Sequence, residues 1–173
     1  MVRNVFRTRE CVNILRQTDI FYDLSQPQLE MIAACCTEIK PKAGEIIFEE
    51  NSAGDEMYIV ASGEVDILVN PAVIRATAAG ESSHPLAIAT IRRGQTFGEI
   101  ALVDQGLRSA SACCASKKAH LLVIPRERLM QMCDEDPDLG YRLMRNISAD
   151  LAFKVRGTDL AIREYLIWRP RTR

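Results

Sequence analysis

Apolar residues along this chain recur with two different periods, and the change of period divides it. From Asn4 to Gln17, the apolar Val5, Cys11, Val12, Ile14 and Leu15 fall at roughly helical spacing among polar positions, which predicts an amphipathic helix docked on a larger body. Ser25, followed three positions later by Gln28, forms a capping-box pattern ahead of Leu29, Ile32 and Ala33 and predicts a second, short helix. Between Cys36 and Pro125 the pattern changes to short β-rich runs: Thr37–Lys40, Glu45–Phe48, Met57–Ser62, Glu64–Asn70, Leu86–Ile91, Arg108–Cys114 and His120–Ile124. Gly44, Gly54 with Asp55, Gly63 and Gly94 stand where two such runs meet. Short strands broken by turns in this way predict an antiparallel roll or barrel.

Helical spacing returns after the roll. Arg126–Cys133 reads as one helix, and Pro137 opens another in which Leu139, Leu143, Ile147, Leu151 and Val155 recur every fourth residue. That stripe needs an apolar partner, which is the roll, a second copy of the chain, or a ligand beneath it. Gly157 is expected to end or bend the helix as a hinge, with Thr158 and Asp159 capping a final helix to about Trp168. The organisation read from these patterns is an N-terminal helical extension over 1–20, a β-roll over 21–135 and C-terminal helices over 136–173. Pro71–Pro85, rich in Ala, Ser and Gly with Arg75 and His84, reads as a surface hairpin extension, and the tail Arg169–Arg173 as a frayed end.

Composition narrows the function. With 173 residues, 47% of them hydrophobic, the chain encloses one good core, and two full domains would be crowded. A formal net charge of −1, from 22 basic and 23 acidic residues, gives no global field toward nucleic acid or an anionic membrane, so any ligand is held by local chemistry. The six cysteines, Cys11, Cys35, Cys36, Cys113, Cys114 and Cys133, include no Cys-x-x-Cys and no zinc spacing, and two adjacent pairs are not a disulfide framework; they read as buried reduced thiols. No secretory signal and no run of about 20 apolar residues is present, so a soluble, cytoplasmic protein without a membrane partner is expected.

The chemistry concentrates in Phe97-Gly98-Glu99-Ile100-Ala101-Leu102-Val103-Asp104-Gln105-Gly106-Leu107-Arg108-Ser109-Ala110-Ser111. Gly98 allows a sharp turn and a close backbone approach to a ligand. Ile100 to Val103 is long enough for about one helical turn, whose free N–H groups suit an anion. Arg108, expected to begin a strand, carries a guanidinium that can fork onto two phosphate oxygens. Glu99 would repel phosphate and so must face another group, for which a sugar hydroxyl is a suitable donor. Ser109, Ala110 and Ser111 are small and leave room beside the strand, and the Ser109 hydroxyl can bond to phosphate or to a purine edge.

This ordered set resembles the phosphate-binding cassette of cyclic-nucleotide-binding domains, the family of the catabolite activator protein and the regulatory subunits of cyclic-AMP-dependent protein kinase. Pro41–Phe48 and Gly54–Val65 are similar to the first strands of that domain, so the likeness runs from about Phe21 to about Arg156. It implies a mainly β fold with flanking α, a double-stranded β-helix (a jelly-roll-like β-roll) between N-terminal and C-terminal helices. It implies a ligand site at Phe97, Gly98, Glu99, Ile100, Ala101, Arg108, Ser109 and Ala110, with Glu99 reading the ribose 2′-hydroxyl and Arg108 clamping the phosphate. It also implies an apolar or aromatic lid from the C-terminal region, for which Phe153, Leu160, Tyr165 and Trp168 are all eligible. The residue after the arginine varies in the family, Ser in the catabolite activator protein, Ala in the cyclic-AMP kinase subunits and Thr in the cyclic-GMP kinases. The base therefore stays open between cyclic AMP, favoured, and cyclic GMP.

The expected function is a cyclic-nucleotide sensor that passes occupancy through its C-terminal helices to an unidentified protein effector or to a second copy of itself. The competing reading is a roll that keeps the fold as a protein-interaction module and has lost the ligand, with Glu99 and Arg108 paired to each other. A cupin-type enzyme would need a histidine-rich metal cluster, whereas only His84 and His120 are present, and nucleophilic catalysis has no Gly-x-Ser-x-Gly elbow or Cys/His set. Neither an enzyme nor a metal is expected. Too few residues follow Arg156 for a helix-turn-helix, and no basic stripe is present, so direct nucleic-acid binding is not expected either.

Overall fold

A computed structural model describes residues 3–70 and 85–168. The hairpin extension expected over 71–85 falls almost wholly outside the described residues, as does the tail 169–173. The helices are α1 (Arg3–Arg16), α2 (Gln26–Cys35), α3 (Glu99–Asp104), α4 (Arg126–Glu135) and α5 (Pro137–Trp168), with a 3₁₀ turn at Asp19–Phe21. The strands are β1 (Thr37–Ile39), β2 (Ile46–Phe48), β3 (Glu56–Ser62), β4 (Val65–Val69), β5 (Leu86–Ile91), β6 (Thr96–Phe97), β7 (Ser111–Cys114) and β8 (His120–Pro125). They pair antiparallel in two four-stranded sheets, one ordered β1-β8-β3-β6 and the other β2-β7-β4-β5.

Side-chain alternation explains why β3 and β8 read as unbroken apolar runs. Successive strand residues face opposite sides. In β3, Met57 and Ile59 join the helical core, while Tyr58 and Val60 pack in the space between the sheets. In β8, Leu122 and Ile124 face the helices, and Leu121 and Val123 face the second sheet. The first sheet is thus covered on both faces, and each buried aliphatic side chain contributes roughly 1.5–3 kcal/mol. The second sheet is covered on one face, and Leu86 and Ile88 of β5 are exposed.

The helices close over the first sheet. Leu15 of α1, Phe21 of the 3₁₀ turn and Ile32 of α2 pack with Leu129 of α4 and Leu139, Leu143 and Ile147 of α5. The capping expectation at Ser25 holds, since the Gln28 side chain accepts the Ser25 N–H at 2.9 Å. The Gln28 amide also donates to Asp136 at 2.9 Å and so ties α2 to the junction of α4 and α5.

Two expectations for the C-terminal region are corrected. Pro137–Trp168 is one continuous helix of 32 residues that passes through Gly157 without a break, so Gly157 is neither an end nor a hinge in this structure and Thr158 caps no new helix. The Thr158 hydroxyl instead donates to the Lys154 carbonyl one turn back, at 3.1 Å, as a mid-helix Thr can. The apolar stripe also does not run to Val155, which is exposed, but fades at half-buried Leu151. At 3.6 residues per turn a step of four overshoots by about 40°, so four steps from Leu139 carry Val155 about 160° round the helix.

Candidate functional site

The cassette occupies the turn between β6 and β7, with α3 at its centre. Phe97 closes β6, is buried, and stacks on Tyr58 of β3 with ring centroids 5.0 Å apart. Gly98 then takes φ of +79°, a conformation that favours glycine, and turns the chain directly into α3. Glu99 is the first residue of that helix and is only 3% exposed. The far end is tied off by the Asp104 carboxylate, which accepts the Gly106 N–H at 2.8 Å, and by Arg126, whose Nε donates to the Leu102 carbonyl at 2.9 Å.

Arg108 does not begin a strand as expected, because β7 starts only at Ser111. Its backbone pairs instead with the loop before β3: its N–H donates to the Ser52 carbonyl at 2.9 Å, and its own carbonyl accepts the Asn51 N–H at 2.8 Å. That pairing fixes the backbone while the side chain runs inward to 4% exposure. Nη1 donates to the Gly98 carbonyl at 3.0 Å and Nη2 to the Glu56 carbonyl at 2.8 Å. The guanidinium lies over the Phe48 ring, 4.2 Å from its centroid, a cation–π contact that holds it flat. Nε is buried and has no hydrogen-bond partner.

Glu99 is not paired with Arg108. Its Oε1 accepts from Lys154 Nζ at 2.9 Å, and its Oε2 is buried without a partner. Lys154 comes from α5 and also donates to the Thr96 carbonyl at 3.1 Å and pairs with Asp150 at 2.8 Å, one turn earlier. Burial alone would lower the proton affinity of this ammonium, but Glu99 and Asp150 together outweigh it and hold its pKa above the ordinary lysine value. At Tyr58, burial and then the hydrogen bond to Glu56, at 2.8 Å, push the phenol upward, so it remains a neutral donor.

Of the residues singled out from sequence, Phe97, Gly98, Glu99 and Arg108 are all brought into the cassette, with Arg108 donating to the carbonyl of Gly98, the residue before Glu99. Ala110 is buried, Ser109 and Ile100 are exposed at the rim, and Ala101 lies in α3 with its side chain outside the described set. No lid is formed by the eligible residues that are described, because Phe153 and Leu160 are exposed; the side chains of Tyr165 and Trp168 lie outside the described residues. The α5 residue that does reach the cassette is Lys154, which sequence reasoning missed, together with Phe48 and the Glu56 carbonyl. Gly54 belongs here too, since a Cβ on it would lie 2.4 Å from Arg108 Nε. Two cavities beside α1, one lined in part by Val12 and Glu30 and the other by Gln17 and His120, contain neither Glu99 nor Arg108. Among the described residues no group of three or more His, Cys, Asp or Glu is arranged to hold a metal, and no helix is long and apolar enough to cross a membrane.

With this geometry established, comparison with known proteins gives a consistent result. The sequence model described as Cyclic nucleotide-binding domain matches residues 38–136. The Cyclic AMP receptor protein of Thermus thermophilus is 28% identical over 148 residues, covering 86% of this chain and 62% of that protein. The mouse cGMP-dependent protein kinase 2 is 30% identical over 126 residues, covering 72% of this chain and 15% of the kinase. The chain thus spans less than two thirds of either relative. Among solved structures, a cyclic nucleotide-binding domain from Methylobacillus flagellatus superposes with a TM-score of 0.74 at 20% identity, covering 91% of this chain and 83% of that one. The Thermus thermophilus Catabolite Activator Protein superposes with a TM-score of 0.68 at 25% identity, covering 86% and 63%. These likenesses bear out the β-roll between flanking helices as the fold.

Proposed function

The chain belongs to the cyclic nucleotide-binding domain family, and from that premise we propose that it senses a cyclic purine nucleotide at Glu99 and Arg108 and passes occupancy to a partner through α5. One observation carries the assignment: Glu99 and Arg108 are both buried in the cassette, are not paired with each other, and each keeps one buried polar atom without a partner, Oε2 of Glu99 and Nε of Arg108. Leaving such atoms unsatisfied costs about 1–3 kcal/mol each, an arrangement that a bound ligand would repay. A ribose hydroxyl suits the carboxylate and a cyclic phosphate suits the guanidinium. Cyclic AMP is favoured over cyclic GMP as the ligand, and titration of both decides the base. The chemistry at the site is binding and not turnover, since none of these groups forms a nucleophile–base pair.

α5 supplies the output. Lys154 ties the helix to the carboxylate expected to read the sugar, so a ligand that changes Glu99 changes the anchor of the helix. Occupancy shifts the helix only by as much as the nucleotide prefers one position of it. The apolar residues left exposed on α5, Phe153, Val155, Leu160 and Ile162, are available to a protein effector or a second copy of the chain.

Calorimetric titration with cyclic AMP and cyclic GMP tests the reading, and absence of binding by both would turn it toward a protein-interaction module. Glu99→Gln is expected to weaken binding and to reduce the preference for ribose over 2′-deoxyribose cyclic nucleotides in a competition assay. Gly54→Ala probes the clamp from behind, because Gly54 is outside the left-handed φ region and the three atoms nearest the added methyl all belong to the Arg108 side chain. A fall in affinity of about tenfold or more, equivalent to about 1.4 kcal/mol, is expected from that overpacking.

A further inference from the structure

Lys154 reaches the cassette from a helix outside it. Three oxygens surround its Nζ: Glu99 Oε1 at 2.9 Å, the Thr96 carbonyl at 3.1 Å and, one turn earlier on α5, Asp150 Oδ2 at 2.8 Å. An ammonium has three N–H groups, so these oxygens match its donors, and Lys154 acts on the protein rather than on a ligand's phosphate. Thr96 and Glu99 flank the turn at Gly98, whose own carbonyl accepts from Arg108 Nη1 at 3.0 Å. The turn is thus braced from two directions, by an arginine of the roll and by a lysine of α5.

We propose that Lys154 is a positioning residue for sugar recognition: by holding one oxygen of Glu99 it leaves the other, Oε2, as the acceptor for a ribose 2′-hydroxyl, and so sets a preference for ribose over 2′-deoxyribose cyclic nucleotides. The inference rests on the cyclic-nucleotide reading above and adds to it the residue that aims the carboxylate. The last torsion of a glutamate side chain is broad and roughly two-fold, so an unheld carboxylate spreads over many orientations. An ion pair at Oε1 narrows that spread before the ligand arrives, and less ordering remains to be done on binding. Oε2 is buried and has no hydrogen-bond partner among the described residues, which leaves it to a ligand donor.

The type of cation matters as much as its place. Lysine ends in one nitrogen, a point charge that can hold a single carboxylate oxygen, whereas the planar fork of arginine takes both at once. An arginine at this position would keep the charge that offsets the burial of Glu99 and would cover Oε2. Lysine stabilises the carboxylate without occupying it. Because Lys154 belongs to α5, the carboxylate is aimed only while that helix lies against the cassette, which makes sugar selectivity depend on helix position.

The test compares cyclic AMP with 2′-deoxy cyclic AMP by calorimetric titration of the full chain and reads the ratio of the two dissociation constants. Wild type is expected to favour ribose by about tenfold or more, the worth of a hydrogen bond to a charged group. In Lys154→Arg, with the fold checked by circular dichroism, that ratio is expected to fall by about threefold or more while the deoxy nucleotide binds within about twofold of wild type, since the phosphate contacts are kept. Lys154→Met, which leaves the carboxylate unheld, is expected to lower the ratio as well. A lysine with a structural role alone would weaken both nucleotides equally, so an unchanged ratio in either folded variant would overturn the proposal and leave nucleotide binding standing. Equal binding of the two sugars by wild type would overturn it too. Binding of neither nucleotide by wild type would instead fail the reading at Glu99 and Arg108, and this inference with it.

Discussion

Arg108→Ala is expected to weaken cyclic-nucleotide binding by about 2–5 kcal/mol, roughly thirty- to several-thousand-fold, the range found when one partner of a buried charge pair is removed. The size follows from how completely the side chain is organised before any ligand arrives. Two backbone carbonyls, the face of Phe48 and the close approach of Gly54 and Gly98 fix the guanidinium, so little rotamer entropy is left to lose on binding. Arg108→Lys keeps the charge but cannot reach Gly98 and Glu56 together or present a planar fork, so it is expected to lose at least about tenfold. Because alanine also leaves the Gly98 and Glu56 carbonyls without their Arg108 donor, binding is read by calorimetry on protein whose fold is checked by circular dichroism. A dissociation constant equal to wild type in folded Arg108→Ala would remove the clamp from the site.

The parts of this site that could be read from sequence are those set by local geometry. Gly98 before a short apolar turn is a consequence of neighbouring residues and appears where expected, whereas Arg108, expected at the start of a strand, lies in the loop before β7. What could not be read is what those side chains touch. Arg108 meets Phe48, Gly54 and Glu56, more than fifty residues upstream, only because β2 pairs with β7 in the second sheet and β3 lies beside β6 in the first. The alternation of β3 was likewise hidden, since both of its faces are covered and the run Met57-Tyr58-Ile59-Val60-Ala61 carries no polar positions. The two-residue strand β6 is too short to leave any periodic trace.

Lys154 shows how a small error in period conceals a functional residue. Counting by fours from Leu139 arrives at Val155, whereas the helical repeat carries the inward face from Ile147 to Leu151 and then to position 154, an i, i+4, i+7 series. A lysine there, one turn after Asp150, reads as an ordinary solvated pair until the cassette is placed beside it. The continuity of α5 through Gly157 has a simpler cause: glycine costs a helix interior only about 1 kcal/mol, and helix-favouring neighbours such as Leu151, Ala152, Lys154, Arg156, Leu160 and Ala161 outweigh that.

The Glu99–Lys154 pair gives the second large effect, and its two halves are not equivalent. Side-chain exposure is 4% for Glu99 and 35% for Lys154. Lys154→Met removes the counter-ion of a buried carboxylate and is expected to destabilise the fold by about 2–3 kcal/mol, at or below the low end for breaking a buried pair because the lysine is partly solvated. Glu99→Gln leaves an ammonium that still has Asp150, the Thr96 carbonyl and water, so about 1 kcal/mol is expected. The double variant should therefore lie closer to Glu99→Gln than to Lys154→Met, with a coupling energy above about 1 kcal/mol in urea denaturation. Additive losses would mean that the contact between α5 and the cassette carries no energy of its own. A helix uncoupled from Glu99 in that way has no route by which sugar recognition could move it.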